Sequence, residues 1–268
     1  MSYYRFIDKG EGPTKLFVGG IHGHEGETTI DFLKSMSYSD FSNGKTFIYN
    51  FDYTEYISTI KKEYYETKIG KTIINLIKKH KPDFYIELHC YNIKNYENLI
   101  SPNRRESQGV PPLIDLENHV LISSVSPLIR KKYFKMETVC KTLEIPCINK
   151  KLYWNDLNSI TKDIITKYNI TKGNITKGNI TEDNITEGNI IKNNVVKYNI
   201  NMDNANEDNG NNYHLKSSFN TYLNIIKILS KVKNRDEFQR IMIKKYPKQV
   251  ELAVKYAKEI FGEKFPPF

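Results

Sequence analysis

The sequence has little cysteine and no long apolar run. Its 268 residues include three cysteines, Cys90, Cys140 and Cys147, which form no CxxC pair. We therefore expect no disulfide framework, with Cys140 and Cys147 as small core residues and a reducing cytoplasm as the compartment. No window approaches about 18 uninterrupted apolar residues, and the first residues lack the apolar segment and cleavage site of a signal peptide. We expect neither a membrane span nor secretion.

Phosphate-binding loops are also absent. Neither GxxxxGK[ST] nor GxGxxG occurs in the sequence, so we expect no nucleotide cofactor. Hydrophobic residues make up 39% of the chain and aromatic residues 12%. This is enough apolar material for a packed core, which excludes a chain that is disordered along its whole length.

Positive charge is distributed unevenly along the chain. The net charge is +9, to which residues 213–268 contribute +7 and residues 155–212 contribute −2. A basic C-terminal part can bind nucleic acid or another anionic partner. We favour the simpler interpretation, in which lysines on exposed helix faces keep the protein in solution.

A pentad repeat interrupts the chain. From Asn169 it runs NITKG, NITKG, NITED, NITEG, NIIKN, NVVKY, NINMD, NANED and NGNNY. Such units resemble the pentapeptide repeats of a square β-helix. However, about one apolar side chain per unit cannot offset an ordering cost of about 1–2 kcal/mol per residue. We therefore expect a disordered insert at 155–212, between an α/β metal-site domain at 1–154 and basic C-terminal helices at 213–268 that pack on it.

Apolar periodicity predicts alternating strands and helices. Predicted strands are Lys15–Val18, Thr46–Tyr49, Asp83–Leu88, Val120–Ile122 and Glu137–Ile145, and predicted helices are Glu27–Met36, Glu55–Lys79, Phe219–Val232, Asp236–Lys245 and Gln249–Phe261. This alternation predicts an α/β fold with a mostly parallel or mixed central sheet flanked by helices. Functional sites in such sheets lie at the carboxyl ends of the strands.

Two of these strand ends carry residues that can bind a metal ion. The first predicted strand runs into GGIHGHEGE, where His22 and Glu25 are three residues apart and can both face one ion. The third runs into His89, and Glu87 lies on the same face of that strand, where a carboxylate can orient the histidine ring. His24, within the first motif, contacts either the substrate or a ligand, or is simply exposed. Imidazole nitrogen and carboxylate oxygen suit zinc, and two histidines with one glutamate leave a fourth position open for water.

These residues carry a family resemblance. GGIHGHEGET followed by DFYIELHC resembles the zinc carboxypeptidase superfamily, and most of all its succinylglutamate desuccinylase/aspartoacylase branch. The resemblance covers about residues 14–147. It implies one Zn²⁺ per chain held by His22, Glu25 and His89, with Glu87 in the place of an aspartate two residues before the last ligand. The whole chain also resembles an uncharacterised family of methanogenic archaea, with the repeat as an insertion.

The resemblance further implies a general base and a substrate-binding arginine. In the family, a glutamate on a later strand takes a proton from the attacking water. Glu144 matches that strand, and Glu137 at the start of the strand is the alternative. In the desuccinylase branch an arginine segment between the second and third ligands binds the substrate carboxylate, but here that region contains no arginine. Arg130, Arg104 and Arg105 are the remaining candidates.

Two functions from different classes follow. The first is a zinc-dependent hydrolase of an amide or peptide bond, acting on a small acylated or peptide substrate, with no membrane or nucleic-acid partner. The alternative is a non-catalytic metal-binding member of the fold that binds RNA or an acidic protein through its basic C-terminal helices. Salt-sensitive nucleic-acid binding that survives loss of His22 would favour the alternative.

Overall fold

The computed structural model of the protein describes residues 3–147 and 210–262, with side chains from residue 217 onward in the second range. Its strands are β1 (Tyr3–Asp8), β2 (Thr14–Gly19), β3 (Lys45–Asn50), β4 (Phe84–Tyr91), β5 (Ile114–Glu117), β6 (Val120–Ser124) and β7 (Val139–Pro146). Its α-helices are α1 (Gly26–Ser35), α2 (Lys68–His80), α3 (Tyr96–Ile100), α4 (Arg104–Gln108), α5 (Pro127–Tyr133), α6 (Gly210–Lys231), α7 (Arg235–Lys245) and α8 (Pro247–Phe261). The pentad repeat up to residue 209 lies outside the described residues, whereas residues 210–213 of its last unit form the start of α6.

The strands form one seven-stranded mixed sheet in the order β1-β3-β2-β4-β7-β6-β5. The central strands β3, β2, β4 and β7 are parallel to one another, whereas β1 pairs with β3 and β6 with β7 in the antiparallel sense. The carboxyl ends of the four parallel strands therefore lie at one edge of the sheet. The predicted α/β fold with a mixed central sheet is confirmed.

Helices cover both faces of the sheet. One apolar cluster joins side chains of β2 and β4, such as Leu16 and Tyr85, to Ile73 of α2 and Ile129 of α5. On the other face, α1 and α6 meet where the rings of Phe32 and Tyr222 lie 4.7 Å apart. Because β4 lies between these layers, all eight of its residues are buried. Any polar side chain on β4 is therefore held rigidly.

The prediction of one long helix at Glu55–Lys79 is wrong for the first half of that range. The helix begins at Lys68, because the Thr67 hydroxyl accepts a hydrogen bond from the Gly70 N–H and caps the first turn. Before it lie a 3₁₀ helix at Lys62–Glu66 and an irregular segment at residues 51–61. The backbone N–H of Thr54 in this segment donates to the carbonyl of Gly23, which attaches the segment to the metal motif.

The remaining predicted elements are confirmed to within a few residues, except that the helix predicted from Phe219 begins at Gly210. Two edge strands had no prediction. β1 alternates between exposed and more buried residues at one edge of the sheet. β5 is joined to β6 by a two-residue turn in which Asn118 and His119 adopt positive φ angles of 53° and 60°. Such values suit a type I′ hairpin, for which asparagine is a favoured residue.

The cysteine prediction is wrong for two of the three residues. Cys90 and Cys147 form a disulfide that joins the ends of β4 and β7, with their Cα atoms 4.8 Å apart. Although 57 residues separate them in sequence, the parallel register of the two strands brings them together. Cys147 is exposed rather than in the core, while Cys140 is a free, buried thiol as expected.

None of the helices in the described ranges combines the length and apolarity needed to cross a bilayer.

Candidate metal centre

The first part of the site is the sharp turn from β2 into α1. Gly20 has a φ of +65°, and a Cβ on it would lie 2.0 Å from the carbonyl oxygen of Phe51. A Cβ on Gly26 would lie 1.8 Å from the same oxygen. Only glycine at both positions allows the chain that follows β3 to lie this close to the turn. The glycines of the motif therefore bring residues 51–61 against the turn that carries His22 and Glu25.

His22, Glu25 and His89 converge on one point at the carboxyl end of the sheet. Their ligand atoms all lie within 4.8 Å of one another. Nδ1 of His22 is 3.3 Å from Oε1 of Glu25, and Nδ1 of His89 is 2.9 Å from Oε2. The two imidazoles thus contact different oxygens of the same carboxylate. The juxtaposition that the two sequence motifs predicted is present in the structure.

The charges of these groups are strongly linked. Burial by itself raises the pKa of Glu25, but the charge of His89 and hydrogen bonds from both imidazoles lower it below its usual value. Burial by itself lowers the pKa of His89, yet the negative charges of Glu25 and Glu144 raise it well above its usual value. Without a metal ion, protons therefore bridge the carboxylate and the rings.

Glu87 lies behind His89. Its carboxylate accepts hydrogen bonds from the hydroxyls of Tyr85 at 2.9 Å and Thr142 at 3.1 Å. Its Oε2 is 3.6 Å from Nε2 of His89, on the side of the ring that faces away from Glu25. A histidine flanked by one carboxylate on each nitrogen has the arrangement of a metal ligand held by an outer carboxylate.

The donor set fits a zinc ion. Nδ1 of His22 and Nδ1 of His89 both point to the carboxylate of Glu25, and the three residues offer ligand atoms within 4.8 Å of one another. A divalent cation at that point would replace the bridging protons and meet two nitrogens and one oxygen. This set is the His₂Glu combination of catalytic zinc sites, and zinc also binds imidazole in preference to the harder cations.

Glu144 lies beside His89 on the same face of the sheet. The two residues pair in the parallel register of β4 and β7. Burial raises the pKa of Glu144 to about 7, with the charges of His89 and Arg104 opposing this rise and those of Glu25 and Glu87 adding to it. Glu137, the alternative base, is exposed and precedes β7 at its opposite end. Of these two glutamates, only Glu144 lies at the metal centre.

The three candidate arginines differ in their interaction partners. Arg104 is half-buried, and its charge acts on Glu144. Arg105 forms an ion pair with Glu259 of α8. The guanidinium of Arg130 donates to the carbonyls of Lys135, Met136 and Thr138, just before β7 begins and at the end of the sheet away from His89. The guanidinium of Arg104 donates to the carbonyl of Pro111, but among the three arginines its charge is the one that acts on Glu144.

His24 faces away from the three converging ligands. Its side chain is 73% exposed, and its Nδ1 lies 3.4 Å from a carboxylate oxygen of Glu27 in the first turn of α1. Its ring also contacts Tyr53 at a centroid distance of 4.6 Å. The alternative of simple exposure therefore describes His24 better than a contact with a ligand.

Three tyrosines hold the site, and none of them was predicted. The hydroxyl of Tyr64 donates to the carbonyl of Ile21, directly before His22. The hydroxyl of Tyr222 on α6 lies 3.2 Å from the carbonyl of His89 and 3.2 Å from that of Leu143. The ring of Tyr56 stacks on His22. A sequence with 19 tyrosines offers no signal that selects these three.

Comparisons with known proteins give a family. A family model described as "Uncharacterized protein conserved in archaea (DUF2119)" matches residues 10–262. The "Uncharacterized protein MJ0501" of Methanocaldococcus jannaschii is 47% identical over 146 residues, which cover 53% of this chain and 70% of that protein. No solved structure matches the chain. Because the family model spans nearly the whole sequence, the chain belongs to the archaeal family DUF2119.

Proposed function

We propose that the protein is a zinc-dependent hydrolase that cleaves an amide or peptide bond in a small acylated or peptide substrate. The observation that carries this proposal is the convergence of His22, Glu25 and His89 within 4.8 Å. Catalytic zinc sites use such a set and leave a fourth position open. The resemblance of the two motifs to the zinc carboxypeptidase superfamily supports the same assignment.

The proposed chemistry divides between the metal ion and Glu144. Zinc, when bound, supplies a Lewis acid that polarises a carbonyl and lowers the pKa of water toward about 7. Glu144 takes the proton from the attacking water on a carboxylate oxygen and delivers it to the leaving nitrogen. In the metal-free protein burial raises the pKa of Glu144 to about 7. A cation beside it would lower that pKa, so Glu144 would be ionised and able to accept the proton.

Arg104 is our choice for the residue that binds the substrate carboxylate. It is the one predicted arginine whose charge acts on Glu144, and it is partly exposed beside it. A guanidinium binds a carboxylate through two parallel hydrogen bonds. We therefore propose substrates with a free carboxylate near the scissile bond, such as N-acyl amino acids or the last two residues of a peptide.

Metal analysis combined with turnover tests this function. Protein purified with zinc should hold about one zinc ion per chain, and the His89→Ala variant should lose it. Glu144→Gln should keep the metal but lose at least about a hundredfold in turnover, the usual range for a general base. Turnover is measured as amine released from a panel of N-acyl amino acids and dipeptides.

The matched control is Glu137→Gln, the same substitution at an exposed glutamate just before the same strand. It should leave both zinc content and turnover unchanged. Wild-type protein that contains no zinc after purification in its presence would refute the metal site. Full turnover by Glu144→Gln would refute the assigned base while leaving the metal site in place.

A further inference from the structure

Two highly exposed tyrosines contact histidines of the turn that carries His22 and Glu25. Tyr56 is 79% exposed and Tyr53 is 65% exposed. Nevertheless, each ring contacts a histidine of the metal motif. Tyr56 lies nearly parallel to the ring of His22, with centroids 4.3 Å apart and an interplanar angle of 18°, and Tyr53 lies 4.6 Å from His24. Exposed aromatic side chains beside a functional site are a common sign of ligand binding.

The segment that carries these rings, residues 51–61, is fixed at both sides of the motif. The N–H of Phe51 donates to the carbonyl of Gly19, and the N–H of Thr54 donates to that of Gly23, both at 3.0 Å. A Cβ on Gly23 would come within 2.8 Å of the ring of Tyr56, so the ring lies directly against the turn. An anchored aromatic side chain loses little conformational entropy when it binds a ligand.

The local sequence prefers another conformation. Ile57, Ile60 and Tyr64 follow helical spacing, yet residues 51–61 are irregular. The structure places this segment over the His22 turn, and Tyr64 is bonded to Ile21. Disagreement between local sequence preference and structure tends to occur at functional sites.

Building on the hydrolase function proposed above, we propose that Tyr56 and Tyr53 form a binding site for a planar aromatic group of the substrate. Tyr56 already stacks on His22 through one ring face, and its high exposure leaves the other face open. A second flat ring can continue this stack in the offset arrangement that aromatic pairs prefer. Because this stack extends away from the ring of His22, the preferred substrates would carry the aromatic group on a short flexible chain rather than directly on the carbonyl that is attacked.

Two zinc-binding probes that differ by one ring test this inference without turnover. 4-Phenylbutanohydroxamate and butanohydroxamate share the same chelating group, and their affinities for the zinc-loaded protein can be measured by calorimetry. We expect the phenyl compound to bind about tenfold more tightly. Tyr56→Ala should remove most of this preference and Tyr56→Phe should keep it.

Further variants separate recognition from a structural effect on the metal. Tyr53→Ala, which contacts no proposed metal ligand, should lower the preference while leaving the zinc content unchanged. Tyr38→Ala removes a tyrosine that is 56% exposed, contacts Lys9 and follows the far end of α1, so it should change nothing. Equal affinity for the two probes in wild type, or an unchanged preference in both alanine variants at Tyr53 and Tyr56, would overturn the aromatic site alone. Binding of neither probe, together with absence of zinc, would overturn the proposed function and this inference with it.

Discussion

Replacing Glu87 with glutamine should weaken zinc binding without removing a ligand. The substitution keeps the shape of the side chain and its contacts with Tyr85 and Thr142, at 2.9 and 3.1 Å, but removes the negative charge 3.6 Å from Nε2 of His89. Loss of such an outer carboxylate typically costs about 10- to 100-fold in metal affinity. This range corresponds to about 1.4–2.7 kcal/mol of binding free energy.

The affinity for zinc can be measured by competition with a chromogenic chelator at fixed pH. The control is Thr142→Val, which removes the hydrogen bond that the Thr142 hydroxyl donates to Glu87 but leaves the charge of the carboxylate. It should reduce the affinity by less than the Glu87→Gln substitution does. Thermal unfolding of the zinc-free variants shows whether either substitution only destabilises the fold. Unchanged zinc affinity in Glu87→Gln, with a normal melting temperature, would refute the idea that Glu87 orients His89.

Two further predictions concern stability. In zinc-free protein the pKa of Glu144 is about 7, against 4.5 for an ordinary glutamate, so between these pH values the folded state binds more protons than the unfolded state. The stability of wild type relative to Glu144→Gln, measured by urea denaturation, should therefore fall as pH rises from 4.5 to 7, and a constant difference would contradict the raised pKa. Reduction of the Cys90–Cys147 disulfide, which closes a loop of 57 residues, should lower the free energy of unfolding by about 2–4 kcal/mol. Cys147→Ser should reproduce this loss and become insensitive to dithiothreitol, whereas a wild-type melting temperature that does not respond to reductant would show that the bond contributes nothing.

The metal ligands could be predicted because they depend on local sequence and on one topological rule. Strands β2 and β4 are built on short apolar runs; His22 follows β2, and His89 lies near the carboxyl end of β4. Since parallel strands in an α/β sheet end at the same edge, the two motifs had to approach one another. Glu144 was predicted from the family resemblance, and the same rule places it at this edge because it lies near the carboxyl end of β7. These predictions needed the direction of the strands but not the exact packing of the helices.

Other features depend on contacts that no local pattern contains. The helical spacing at Ile57 and Ile60 predicted a helix, but the hydrogen bond from Thr54 to Gly23 and the cap at Thr67 determine the observed conformation. The disulfide depends on the register of β4 against β7 across 57 residues. Arginine positions were equally unpredictable. Arg130 is at the opposite end of the sheet because α5 places it against the carbonyls that precede β7.

The buried negative charges at this site explain why it favours a bound cation. Glu25 and Glu87 are 6% and 1% exposed, and Glu144 adds a third carboxylate beside His89. Such groups are costly to bury unless positive charge compensates them. In the metal-free state a proton on His89 supplies part of that charge, which is why its pKa is raised. A zinc ion at the same place carries two positive charges and releases the bridging protons, so its binding should weaken as pH falls. In our proposal the same positive charge keeps Glu144 ionised, so that it can accept the proton of the attacking water.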